Sequence, residues 1–261
     1  MDFNIESTDD IVDYINDILY KKCGKTLRIE FDLFDEMTTG KPLEYFDIFD
    51  PDAETPLMLC LFLGKKCISS ITCKINFAEK AFEISSKTNE SHQGKKYNLF
   101  LRYAMVLILH NLEYTIRVKR KTRSSNFEKI ISRAINPISI LAMSKHFYAT
   151  NDKFDSYMEK NGLDYEDLTL EHTKHFYDEL TDIPDDLPED ELEEYYEKYI
   201  DPYDPVVMII NLRDERTIQN AMDKIISTRI LCPEKKTSKR RMKTRSTMKS
   251  RSPSSSSSSK K

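Results

Sequence analysis

Residues 81–112 read AFEISSKTNESHQGKKYNLFLRYAMVLILHNL, and this stretch decides the fold. AFEISSKTN begins as an alternating strand and ends polar. The loop after it holds Gly94 beside two lysines. From about Lys96 to Asn111 the chain turns strongly apolar. Leu99, Tyr103, Val106, Leu107 and His110 recur at three- and four-residue steps, the mark of a helix. Leu101, Met105 and Leu109 make a second face apolar, which fits a helix packed on a sheet and covered elsewhere.

Working towards the N-terminus, LMLCLFLG and KCISSITCKINF are apolar strands joined around Gly64-Lys65-Lys66, a hairpin signal. NFAEK turns the chain again into AFEISSKTN, so three antiparallel strands are predicted. Further out, Ser7 or Thr8 can cap a helix whose first turn carries Asp9 and Asp10 at the positive end of its dipole. Ile11, Tyr14, Ile15, Ile18 and Leu19 follow at helical spacing until Gly24, and TLRIEFDLF alternates as a half-buried strand does.

Towards the C-terminus, TIRVKR and EKIISRAI both read as strands around KTRSSN. NPISILAMSKHF reads as a helix with Asn136 as cap and Pro137 at its first position. FYATNDKF is a further strand candidate, PVVMIINL a clear one, and RTIQNAMDKIISTRI a final amphipathic helix. The expected class is α/β (α+β), a central mixed sheet flanked by helices. Its core would span residues 1–154 and be completed by 205–234. An acidic helical insert is expected at 155–204, and a disordered, basic, Ser-rich tail at 235–261.

Charge sharpens this division. The net charge is −4, yet 235–261 holds eleven Lys or Arg and no acid. The rest then carries 29 basic against 44 acidic side chains, a balance of −15, which repels nucleic-acid phosphates. Only the tail has the opposite sign, suiting nucleic acid, an anionic surface or a nuclear import receptor. The acidic insert suits a basic protein, or simply water. No apolar run approaches the roughly 18 residues that span a bilayer. The acidic start MDFNIESTDD has no signal-peptide segment. The five cysteines show no CxxC pair, and Cys60, Cys67 and Cys73 fall in apolar strands as small hydrophobes. An intracellular protein is expected, cytoplasmic and with nuclear or virion association open.

The order of strands, glycine loop, long helix, strand and Asn-capped helix resembles the GNAT superfamily of N-acetyltransferases, over about Leu57 to Phe154. There the fourth strand enters a Gln/Arg-x-x-Gly-x-Gly/Ala loop whose N–H groups, at a helix start, hold the pyrophosphate of acetyl-CoA. Here the loop reads Gln93, Gly94, Lys95, Lys96, Tyr97, Asn98, with Lys96 and Asn98 at the family's Gly and Gly/Ala positions. Downstream, Asn136, Ser139 and Phe147 follow the family's pattern, while Met143 stands where a thiolate-protonating Tyr is common. SSKTNESHQGKKYN and AINPISILAMSKHF are also similar to uncharacterised GNAT-like proteins of giant DNA viruses.

The resemblance implies acetyl-CoA bound along Ser86 and Thr88, by the loop from Gln93 to Asn98, and by Asn136 and Ser139. It implies an unidentified amine as acceptor. Acyl transfer needs a base for the amine and an acid for the thiolate. Glu83 on the fourth strand is the base candidate, and Tyr148, with Tyr97 as another, is the acid candidate. Each has a plainer reading, as an outward strand carboxylate or a packed tyrosine. The rival function is a catalytically silent GNAT-fold protein used for binding, for instance in a virion. His172 and His175 in EHTKH share a helix face without further metal ligands nearby. No GxSxG, P-loop or HExxH motif is present.

Overall fold

The computed structural model describes residues 8–33, 57–120, 127–181 and 205–227. Six strands form one sheet in the order β1 to β6. They are β1 (Leu27–Leu33), β2 (Leu57–Leu63), β3 (Lys66–Asn76), β4 (Ala81–Thr88), β5 (Lys129–Ala134) and β6 (Val206–Asn211). The helices are α1 (Thr8–Cys23), α2 (Tyr97–Arg120), α3 (Pro137–Phe147), α4 (Asp152–Lys160), α5 (Leu170–Thr181) and α6 (Glu215–Ser227). The class is the expected one, a mixed α/β fold.

Strands β1 to β4 run antiparallel to their neighbours, so the meander has four strands rather than three. β1 joins it because Leu27 and Ile29 continue the apolar face of Leu61 and Leu59. The β2–β3 turn needs a left-handed residue, and Gly64 supplies it at φ 63°. β4 and β5 are parallel, which requires a crossover, and α2 is that crossover. β6 closes the sheet antiparallel to β5.

Register puts Leu27, Ile29, Leu57, Leu59, Leu61, Ile71, Cys73, Phe82, Ile84, Ile130, Met208 and Ile210 on one face, all buried. α1, α2 and α6 pack against one another, and α1 and α2 lie on this face. Each such leucine or isoleucine contributes about 1.5–3 kcal/mol by leaving water. The other face carries Lys74, Glu83, Ser85, Lys87, Lys129 and Arg133, all at least partly exposed.

Three expectations need correction. TIRVKR is not a strand: residues 115–120 are the last turns of α2, which runs nine residues past Asn111. Extending an existing helix adds one hydrogen bond per residue without the cost of a new nucleus. FYATNDKF contributes only a bridge, Thr150 to Ile209, before Asn151 caps α4 by accepting from the N–H groups of Lys153 and Phe154 at 3.1 Å each. The compositional break at residue 155 falls inside α4, and Phe154, Phe176 and Leu180 of α4 and α5 are buried. Residues 182–204 of the acidic stretch and the basic tail lie outside the described residues, as does the start of the first helix cap, Ser7. No described helix is long and apolar enough to cross a membrane.

Candidate functional site

The parallel pair splits. β4 and β5 are paired from Ala81–Lys129 to Ile84–Ser132, and there the ladder stops, although β4 continues to Thr88 and β5 to Ala134. The strands part at their carboxyl ends, the place where open α/β sheets receive ligands. The start of α2 follows β4 through a short turn, Glu90–His92, and the start of α3 follows β5.

The loop before α2 supplies the backbone for an anion. Gly94 has φ 74°, and a Cβ added to it would meet nothing within 4 Å, so the space beside it is open. Lys96 has φ 61°. A lysine therefore sits in the left-handed conformation a glycine adopts without penalty, at a cost of roughly 1–2 kcal/mol. The Phe100 N–H bonds to the Lys96 carbonyl at 3.0 Å. No partner for the Asn98 or Leu99 N–H is found among the described residues, as expected for a helix's first turn. Free N–H groups, the positive end of a 24-residue helix, and Lys95 and Lys96 fit a diphosphate.

Between the diverging strands lies a residue that sequence reading missed. Arg102, one turn into α2, donates from Nε to Asn98 Oδ1 at 2.9 Å, from Nη1 to Ser132 Oγ at 3.0 Å, and from Nη2 to Ser86 Oγ at 2.9 Å. Nη1 also meets Met143 Sδ at 3.1 Å. Every partner is neutral, and no carboxylate among the described residues lies within ion-pair reach. Burial pushes its guanidinium down to about 10. A single charged residue within the apolar stretch from Leu99 to Leu109 was the only signal in the sequence. Its role depends on where β5 and α3 arrive, which no local pattern tells.

The candidate residues fall into separate groups. Ser86 and Asn98 are brought together, through Arg102. Thr88 is half-buried and its hydroxyl is shared with Ser69 at 2.7 Å. Gln93 and Gly94 are exposed, and the Gln93 N–H bonds to the Glu90 carbonyl. Tyr97 is buried, which raises its phenol, so its side chain belongs to the core and only its backbone can face a ligand. The Asn136 side chain caps α3, accepting from the Ser139 N–H at 2.9 Å. Pro137 and Asn136 shape this helix start as their types dictate.

Glu83 is half-buried on the face away from Arg102 and accepts from Asn76 Nδ2 at 2.6 Å. Tyr148, at φ 50°, ends α3 with its ring between Tyr165 and the Arg216 guanidinium, 4.9 Å from its centroid. In register, Glu83 opposes Ile131, Ile131 opposes Ile209, and Ile209 bridges Thr150. Three strand spacings of about 4.8 Å, or roughly 14 Å, thus separate Glu83 from the segment that carries Tyr148. The structure does not bring these two together. Met143, buried, is the α3 residue that reaches the split. His172 and His175 lie on α5, with His175 beside Glu179 at 3.4 Å. Among the described residues no group of three potential ligands is placed to hold a metal.

No family model and no curated protein matches the chain. Solved structures that it is similar to include a chimera of the spermidine N-acetyltransferase SpeG from Vibrio cholerae and hSSAT. The identity is 14%, the TM-score 0.29, and the match covers 72% of this chain and 96% of that one. A second chimera of the same pair gives 13%, 0.29, 72% and 97%. Mutant forms of the spermidine/spermine N-acetyltransferase SpeG from Vibrio cholerae give 14%, 0.27, 84% and 94%. Likeness at these TM-scores carries no weight for function, which has to rest on the split sheet and the helix start beside it.

Proposed function

We propose that the chain is an acyl-CoA-dependent N-acyltransferase acting on an amine. One observation carries the reading: parallel strands that part after Ile84 and Ser132, beside a helix start with open N–H groups. Acetyl-CoA, when bound, supplies an activated acyl carbon. The Asn98 and Leu99 N–H groups, with Lys95 and Lys96, would hold its diphosphate. The unpaired edge of β4, from Ser85 to Thr88, would offer backbone partners to the amides of the pantetheine arm. Glu83 would take the proton that the amine loses as the C–N bond forms and the C–S bond breaks. Its hydrogen bond from Asn76 orients the carboxylate and leaves one oxygen for that proton. Tyr148, the acid candidate, sits on a segment about three strand spacings from Glu83 and would have to reach the leaving thiolate from there, while Arg102 is a donor already bonded at the closed end of the split.

A second reading, a silent binding protein of the same fold, has its own support. Arg102 ties Ser86 to Ser132 across the split, where an arm lying between the strands would have to move it. Titration calorimetry with CoA and acetyl-CoA tests whether the site binds at all. Binding is expected in the wild type and a large loss in Tyr97→Pro, whose ring disturbs the helix entry that presents the Asn98 and Leu99 N–H groups. Melting is measured alongside, because the ring of Tyr97 is buried. No heat with millimolar CoA would remove the proposal. Binding without acylation of any amine in a panel, in wild type, would favour the silent reading.

A further inference from the structure

We propose that Arg102 receives a carboxylate carried by the acyl group, so that the site takes the CoA thioester of a short dicarboxylic acid in preference to acetyl-CoA. This rests on the acyl-CoA reading above and adds the class of acyl donor.

Taking a cation out of water is costly, and buried charges are normally paired with an opposite one. Here Asn98, Ser86 and Ser132 offer oxygens without charge, and Met143 offers only a thioether, a weak acceptor. A guanidinium has five N–H donors. Three meet oxygen here, one faces sulfur, and the last, on Nη2, has no partner among the described residues. One N–H on each terminal nitrogen is therefore weakly used or free. That is the pair a carboxylate engages when it binds arginine with both oxygens. The Ser86 and Ser132 hydroxyls can rotate to donate to the same anion.

Position then selects the acyl end of the donor over its phosphates. The diphosphate belongs at the open end of the split, at residues 95–98. Ser132 belongs to the last paired step of β4 and β5, at the closed end. Arg102 spans this interval: its Nε bonds the Asn98 side chain at the helix start, and its Nη1 bonds Ser132 at the closed end, so the Nη1 edge is the part that faces the end where the arm would terminate in its acyl group. An acetyl group offers this cation only its neutral thioester oxygen, whereas the free carboxylate of a succinyl group, two methylenes beyond the thioester, offers it an opposite charge.

The test is titration of the full chain with CoA, acetyl-CoA and succinyl-CoA, with inorganic pyrophosphate as competitor. Succinyl-CoA should bind at least about tenfold tighter than acetyl-CoA, the size expected of one charge-assisted hydrogen-bonded pair. Arg102→Gln should bring that ratio close to one. Arg102→Lys, which keeps the charge and loses the planar fork, should leave an intermediate ratio. Melting curves establish that each variant is folded, and the two together keep the test decisive if one is not. Equal affinity of wild type for the two thioesters overturns the inference and leaves acyl-CoA binding standing. So does a preference that survives in Arg102→Gln. Loss of all three ligands in the folded variants, with pyrophosphate competing only in wild type, assigns Arg102 to the phosphates and also overturns it. If wild type binds no CoA species, the acyl-CoA reading itself fails.

Discussion

The two halves of the sheet share a buried face yet are built differently. In β1 to β3 every strand is paired along its length, and the face under the helices is Leu27, Ile29, Leu57, Leu59, Leu61 and Ile71. Around the split, the same face carries Ser86, Thr88 and Ser132, and a cation bonds Ser86 and Ser132. Packing alone would not choose this. Apolar residues of the same size fill such a face at no desolvation cost. Polar groups gathered where a ladder stops mark the half kept for a ligand, and the apolar half supplies the stability that pays for it.

Substitutions sharpen that contrast. Leu59→Ala, in the fully paired half at 0% exposure, is expected to cost about 3 kcal/mol and to lower the melting temperature by several degrees. A loss below about 1 kcal/mol would mean that this half is not the stabilising one. Arg102→Met should go the other way. Replacing an unpaired cation by an apolar side chain of similar length should raise stability by about 1–2 kcal/mol in denaturant titrations. Destabilisation by that much would show the neutral hydrogen bonds to outweigh the cost of burial.

A residue outside both halves serves as reference. Asp214 caps α6, accepting from the Arg216 N–H at 2.9 Å and pairing with its guanidinium at 2.7 Å. That guanidinium holds the Asp214 carboxyl below its ordinary 3.8. A carboxyl lowered on folding stabilises the native state above its unfolded value, and the effect fades as pH falls through the folded one. Asp214→Ala should therefore cost about 1 kcal/mol at neutral pH, and the difference from wild type should shrink as the pH drops below 3.8. An undiminished difference in acid would mean that the pair contributes nothing.

The smallest effect is at the loop. Lys96→Gly relieves a left-handed lysine but loosens the unfolded chain, so a gain of about 0.5 kcal/mol is expected. A loss would mean that the lysine side chain holds the loop.

Much of this architecture was legible because local chemistry determined it. Gly64 announced the hairpin, and the Asn136-Pro137 pair announced α3. The three- and four-residue steps of Leu99, Tyr103, Val106 and Leu107 announced α2. The end of α2 was not legible, because Ile116 and Val118 alternate like a strand over a window too short to decide. In FYATNDKF the apolar start hid a cap, Asn151. The loop from Gln93 to Asn98 was found at a helix start, but its glycine-like backbone at Lys96 could not be read from a lysine. Arg102 was invisible for a different reason. Its partners come from β4, β5, α2 and α3, and only the assembled fold puts them within 3.1 Å of one side chain.

Amide hydrogen exchange on the full chain, with and without CoA, tests the contrast between the halves most directly. Slowed exchange is expected at residues 84–88, 94–100 and 132–139 when CoA is bound, and unchanged exchange at 57–63 and 66–73. Exchange unaltered everywhere at saturating CoA, or slowed only in β1 to β3, would contradict a ligand held in the split.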